Sequence, residues 1–198
     1  MMAMPMQKVA IVGHSFVNHL REFVRSDRCA EKSFGLANAE VRFFGVSGLA
    51  IGKLRQIEHS LRNFGPTTVV LLLGDNDIGN GVDAELLTLR LVAAVAMIQR
   101  WAGTSKVIRM DICPRFWVPS YKYFCEQYEE TAMYVNAGFR EQVQMQSLSR
   151  IFSWSCRGLS FHDARRVNWK PDGVHLQVPG NSLLYQGIRK ALHYFKHL

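Results

Sequence analysis

The sequence predicts an α/β fold, a parallel sheet with helices on both faces. Three observations carry this reading. Short apolar, β-branched runs alternate with longer amphipathic stretches along all 198 residues. The clearest run, Thr68-Val69-Val70-Leu71-Leu72-Leu73, has no polar alternation, as expected of a strand buried on both faces. The polar, glycine-containing clusters fall at the ends of such runs, where open parallel sheets gather their ligands.

Taken in order, the first strand is Lys8 to Val12, broken by Gly13 and followed by a helical pattern from about Val17 to Arg25. Between them lies Gly13-His14-Ser15-Phe16. Ser15 has two readings there: an N-cap of the helix, or a reactive hydroxyl at the sheet edge beside a helix N-terminus that favours negative charge. The second strand candidate, Glu40 to Phe44, ends in Gly45-Val46-Ser47-Gly48. A helical stretch from Ile51 to Arg62 is stopped by Asn63-Phe64-Gly65-Pro66. The strand at 68–73 runs into Gly74-Asp75-Asn76-Asp77. A long helix follows from an Asp83 N-cap to Trp101, with Gly103 just beyond. Lys106 to Ile112 is the fourth strand, and 121–146 is helical. Ser149 to Phe152 forms a short fifth strand, and a last helix covers about Gly180 to Phe195. No repeat or linker divides the chain, which predicts one domain over 1–198.

Composition bounds the function. Hydrophobic residues make up 48% and charged residues 20%, an ordinary globular balance with no run near the ~20 apolar residues of a membrane span. The start lacks a basic segment followed by a long apolar one, so the expectation is a cytoplasmic protein. The net charge of +8 permits attraction to nucleic acid. The basic residues are scattered, however, with the densest groups at Arg165, Arg166 and Lys170 and at Arg189, Lys190 and Lys196. Cys29, Cys113, Cys125 and Cys156 form no CxxC pair, which argues against a zinc ribbon.

The polar groups at the strand ends suit acyl transfer. Ser15 is the candidate nucleophile and needs a base. His175 is the candidate base, and Asp172 the carboxylate that fixes its tautomer. The N–H groups of Ser15 and Gly48 and the amide of Asn76 are candidates for an oxyanion hole.

These residues carry a resemblance. Gly13-His14-Ser15, Gly48 in its turn, Gly74-Asp75-Asn76-Asp77 and Asp172-Gly173-Val174-His175 resemble, in order, the four sequence blocks of the SGNH hydrolases, the GDSL-type esterases and lipases. The blocks span nearly the whole chain. The resemblance is nearest to small invertebrate or retroelement-associated members. It implies a three-layer α/β/α sandwich with a flavodoxin-like parallel sheet and cofactor-free hydrolysis of small acyl esters or thioesters. It also implies a triad of Ser15, Asp172 and His175 and an oxyanion hole of Ser15, Gly48 and Asn76. His14 departs from the aspartate usual in the first block. One reading is an altered field around Ser15; the rival is a non-catalytic binding module, including one associated with nucleic acid.

Other signals are weaker. Asp75, Asp77 and Asp83 fail the EF-hand spacing, because Asn80 and Leu86 stand where Gly and Glu are needed, so no metal is expected. Asp77 is expected to brace the turn that aims Asn76, and Asp75 to face solvent. Phe116 and Trp117, after the fourth strand, are either an aromatic substrate wall or plain packing. His162, Asp163, His193 and His197 are expected at the surface. Oligomeric state is not encoded in any of these features.

Overall fold

The computed structural model describes residues 6–116, 122–146 and 148–197. Five parallel strands form one sheet in the order β2-β1-β3-β4-β5. They are β1 (Gln7–Gly13), β2 (Ala39–Gly45), β3 (Thr68–Leu72), β4 (Lys106–Met110) and β5 (Ile151–Trp154). The helices are α1 (Ser15–Ser26), α2 (Glu58–Phe64), α3 (Asp75–Gly79), α4 (Ala84–Ala102), α5 (Lys122–Met145) and α6 (Val178–Tyr194).

Side-chain alternation in the strands divides the core. Val70 and Leu72 of β3 pack with Val9 and Ile11 of β1 against Val17, Leu20 and Val24 of α1 and Leu184, Ile188 and Ala191 of α6. Val69 and Leu71 of β3 pack with Ala10 and Val12 against Leu61 and Phe64 of α2, Leu91 and Val95 of α4, and Val135 and Phe139 of α5. The absence of polar alternation in β3 follows from this, since both faces are covered. Among the described residues no helix is long and apolar enough to cross a membrane.

Most predicted boundaries hold within two residues. Asp83 caps α4 by accepting from the Leu86 N–H at 2.9 Å, and Gly103 ends that helix in the left-handed region. Three expectations need correction. The stretch from Ile51 begins as a 3-10 helix, Ile51–Ile57, before α2. Gly74-Asp75-Asn76-Asp77 opens a one-turn helix, α3, and is not a plain turn. Ser15 is not the N-cap of α1: that position is His14, whose ring Nδ1 accepts from the Phe16 N–H at 3.5 Å. An imidazole lies outside the usual set of capping side chains, so the sequence points to the serine.

Candidate active site

Backbone register brings three segments to one rim. Gly13, the last residue of β1, lies level with Gly45 of β2 and Leu72 of β3. The chain beyond each strand therefore leaves the sheet at the same height: His14-Ser15, Val46–Gly48 and Leu73–Asn76. A Cβ on Gly13 would stand 2.3 Å from the Leu72 carbonyl oxygen. Only glycine lets β1 end this close to β3. The Val46 N–H donates to the Gly13 carbonyl at 3.0 Å and closes the gap to β2. Ser15 is the first residue of α1, so its N–H has no intrahelical acceptor and points out of the helix end.

Two contacts brace α3 against the β2 turn. The Asn76 side-chain amide donates one N–H to the Leu49 carbonyl at 3.0 Å, which leaves the other available. The Asp77 carboxylate accepts from the Ile51 N–H at 3.2 Å. Burial pushes the Asp77 carboxyl above its ordinary pKa, and the Ile51 hydrogen bond works against that rise. Asp77 thus braces the segment carrying Asn76, as expected from the sequence. Gly48 has φ of +71°, a left-handed conformation that an L side chain would strain.

The histidine and aspartate near the C-terminus form a compact pair. Asp172 Oδ2 accepts from His175 Nδ1 at 2.8 Å. Its Oδ1 accepts the backbone N–H groups of Val174 at 2.8 Å and His175 at 2.9 Å. Partial burial opposes ionisation of Asp172, but these three hydrogen bonds outweigh it and hold the carboxyl at about 2. The pair reaches α1 through His19, whose ring meets the His175 ring edge-on with centroids 4.9 Å apart. His19 follows Ser15 by four residues, one turn along the same helix face. Burial, with Lys170 and His175 nearby, lowers the His19 pKa. Ser15 Oγ and His175 Nε2 have no hydrogen-bond partner among the described residues.

A second histidine–aspartate pair lies beneath. His14 Nε2 donates to Asp75 Oδ2 at 2.9 Å, with both side chains buried. Asp75 Oδ1 accepts from the Tyr128 hydroxyl at 3.1 Å, and the Arg115 guanidinium donates to the Asp75 carbonyl at 3.2 Å. Burial disfavours the Asp75 carboxylate, but His14, Arg115 and Tyr128 overcome it and bring the pKa to about 2. The solvent-facing Asp75 expected from sequence is therefore wrong: it is 6% exposed. Because His14 adjoins Ser15 and Asp75 adjoins Asn76, this bond ties the β1 exit to the β3 exit.

Phe116 does not stand free. Its ring packs on Trp169 at 4.8 Å, and its N–H donates to the Gly173 carbonyl at 2.8 Å. It anchors the turn holding Asp172, which favours the packing reading; Trp117 lies outside the described residues. His162 is exposed, and Asp163 spends its carboxylate on the Gly158 and Ser160 N–H groups. His193 is also exposed and bonds the Phe34 carbonyl at 3.1 Å, while the His197 side chain lies outside the description. Cys113 and Cys156 are buried free thiols, and Cys29 is an exposed one. Among the described residues no three His, Cys, Asp or Glu side chains gather as a metal set. Sequence reasoning missed His19, Tyr128 and Arg115. Helical spacing from Ser15 could have flagged His19, but no local signal marks the other two.

No family model matches the chain, and no curated protein matches its sequence. Solved structures do match its fold. A GDSL-like lipase from Bacteroides thetaiotaomicron superposes with a TM-score of 0.68 at 16% identity, covering 98% of this chain and 92% of that one. A carbohydrate esterase family 3 protein from Talaromyces cellulolyticus gives 0.68 at 19% identity, covering 98% and 100%. An acetyl esterase, as an S10A mutant with acetate ion, gives 0.68 at 19%, covering 96% and 97%. The chain therefore has the α/β fold shared by these hydrolases, over nearly its whole length.

Proposed function

We propose that this protein is a serine esterase acting on small acyl esters through an acyl-enzyme on Ser15. The observation that carries the reading is the Asp172–His175 pair, held through His19 against the helix that begins with Ser15. The similarity in fold to an acetyl esterase and a carbohydrate esterase favours short acyl groups.

In this reading Ser15 Oγ attacks the ester carbonyl while its proton passes to His175 Nε2. Asp172 accepts the Nδ1 hydrogen bond and stabilises the imidazolium. The N–H groups of Ser15 and Gly48 and the second N–H of Asn76 receive the oxyanion, each such donor contributing about 2.7–4 kcal/mol to the transition state. His175 returns the proton to the leaving alkoxide as the carbonyl re-forms. Water then attacks the acyl-enzyme with His175 again as base, releasing the acid and restoring Ser15.

In this scheme His14 is a positioning residue. It caps α1 and fixes the distance between the Ser15 and Asn76 segments through Asp75. The replacement of the family's aspartate by histidine is matched by an aspartate at 75, so the first and third blocks remain connected. That match argues against a degenerate copy.

The test is hydrolysis of p-nitrophenyl acetate, butyrate and octanoate by the wild type, Ser15→Ala and His175→Ala. The expected result is turnover favouring acetate, lost in both variants with their circular dichroism unchanged. Wild-type turnover surviving in folded Ser15→Ala would overturn the assignment.

A further inference from the structure

The two densest basic groups in the sequence lie on different elements, the loop after β5 and the C-terminal half of α6 with the residues just after it, and the proposed esterase chemistry uses neither. The fold brings one residue from each to the same cleft. From the last residue of β5, the segment Trp154–Asn168 runs alongside α6 and leaves a cleft of about 570 Å³ between them. That volume falls within the roughly 300–1,000 Å³ of small-molecule sites. Arg157 and Arg165 line it from the segment, and Lys190 lines it from α6.

The cleft cations differ from their neighbours. Arg166 spends its guanidinium on the carbonyls of Trp169, Lys170 and Pro171, and Arg189 pairs with Glu31 at 3.8 Å. The side chains of Arg157, Arg165 and Lys190 make no hydrogen bond or ion pair among the described residues, and Arg157 acts on Asp163 only through its charge. The one acid in the lining, Asp163, is already committed. Its Oδ2 accepts from the Gly158 N–H at 2.7 Å, and its Oδ1 accepts from the Ser160 N–H at 3.0 Å and from the Ser160 hydroxyl. Three cations thus face one cleft whose one carboxylate is hydrogen-bonded within its own loop and offsets part of the Arg157 charge. Trp154, half-buried and held by Tyr194 at 5.5 Å and by Phe195 edge-on at 5.6 Å, and Leu183 supply apolar surface beside them.

We propose that this cleft binds a phosphate-bearing ligand with a flat, apolar part, the chemistry shared by a free nucleotide and a single-stranded nucleic acid. Phosphates engage Arg157, Arg165 and Lys190, and a base lies against Trp154, since stacking platforms beside cationic grooves hold single strands without sequence preference. The site is separate from Ser15 and its partners, and the proposal stands whether or not the chain is an esterase. It is nevertheless joined to the catalytic turn. The Asn168 side chain in the cleft wall donates to the Gly158 carbonyl at 3.2 Å, the Asn168 backbone carbonyl accepts from the Gln177 N–H at 3.0 Å, and the Lys170 backbone N–H donates to the His175 carbonyl at 2.7 Å.

The experiment uses fluorescence anisotropy of the full chain with a labelled ten-nucleotide oligo-uridine, with ATP and pyrophosphate as competitors, from 50 to 200 mM salt. Three phosphate contacts give a slope of log K on log salt of about −2. The triple variant Arg157→Gln, Arg165→Gln, Lys190→Gln is expected to weaken binding at least tenfold and flatten that slope, with ester turnover unchanged. The control Lys53→Gln, Arg55→Gln, Arg100→Gln removes the same charge from exposed positions elsewhere and is expected to change affinity less than threefold. Competition by ATP at micromolar concentration identifies a nucleotide as the source; binding of the strand alone identifies a nucleic acid. Equal weakening by both triple variants, or no binding of any probe at 50 mM salt, overturns the proposal.

Discussion

Two histidine–aspartate pairs meet the first turns of α1, one through its His14 cap and one through His19, alike in chemistry and opposite in setting. His14 and Asp75 meet at 2.9 Å with side chains 4% and 8% exposed; His175 and Asp172 meet at 2.8 Å with side chains 33% and 45% exposed. Burial decides what each can do. The inner pair has all its near partners supplied by protein: the Phe16 N–H on one ring nitrogen, and Tyr128 on the carboxylate. It has no valence left for substrate, and in a low-dielectric interior the loss of one partner strands the other. The outer pair leaves Nε2 of His175 without a protein partner among the described residues, as a proton carrier needs. In the proposed esterase, identical residue types thus serve as a brace in one place and as acid–base machinery in the other.

The sharpest way to break this contrast is to remove each imidazole in turn. His175→Ala is expected to lower kcat by about 10³-fold or more while the Tm moves by no more than a few degrees. His14→Ala is expected to do the reverse in kind. It strands a buried carboxylate and costs about 3 kcal/mol, or roughly 6–12 °C in Tm. Parallel kinetics and thermal melts check both. If His14→Ala loses activity at unchanged Tm, the inner pair is taking part in chemistry.

Asn76→Ala tests whether the brace serves the oxyanion. The expected loss in kcat is about 10²–10³-fold, with KM little altered. Asp77→Asn weakens only the contact with Ile51, and a smaller kcat loss is expected.

Acid titration separates the pairs by stability. A carboxyl held near 2 in the fold and near 3.8 when unfolded stabilises the protein above about pH 4, by about 2 kcal/mol for the buried Asp75. That contribution is lost as pH falls through about 2. Asp75→Asn is expected to be less stable at pH 7 and to show a flatter loss between pH 4 and 2 in urea melts. Asp172 is held equally low but is largely exposed, so Asp172→Asn is expected to flatten the curve far less.

The smallest effect belongs to His19→Phe. It keeps an aromatic edge against His175 but removes the titrating neighbour. A two- to fivefold change in kcat is expected, with a shifted acid limb of the pH–rate profile and an unchanged KM.

How much of this could be read from the chain depended on the range of each contact. The sheet was legible because β3 lacks alternation and because Asp83 and Gly103 bracket α4 with local signals. The open pair was legible because Asp172 and His175 are three residues apart. The inner pair was not. His14 and Asp75 are separated by 61 positions, and Asp75 looks like a surface residue until Tyr128, another 53 positions on, covers it. The capping role of His14 was hidden for a different reason, since imidazole is an uncommon cap and Ser15 beside it is a common one. The meeting of Arg165 and Lys190 across a cleft likewise arises only when α6 packs back on the segment after β5.

The most direct test of the division of labour is labelling with a fluorophosphonate, read by peptide mass spectrometry, on folded wild type, His175→Ala and His14→Gln. The expected result is one phosphonyl group on Ser15 of the wild type, at least a hundredfold slower labelling of His175→Ala, and labelling within about tenfold of wild type for His14→Gln at a temperature where it remains folded. An unlabelled Ser15 in folded wild type, or His175→Ala reacting at the wild-type rate, would contradict it.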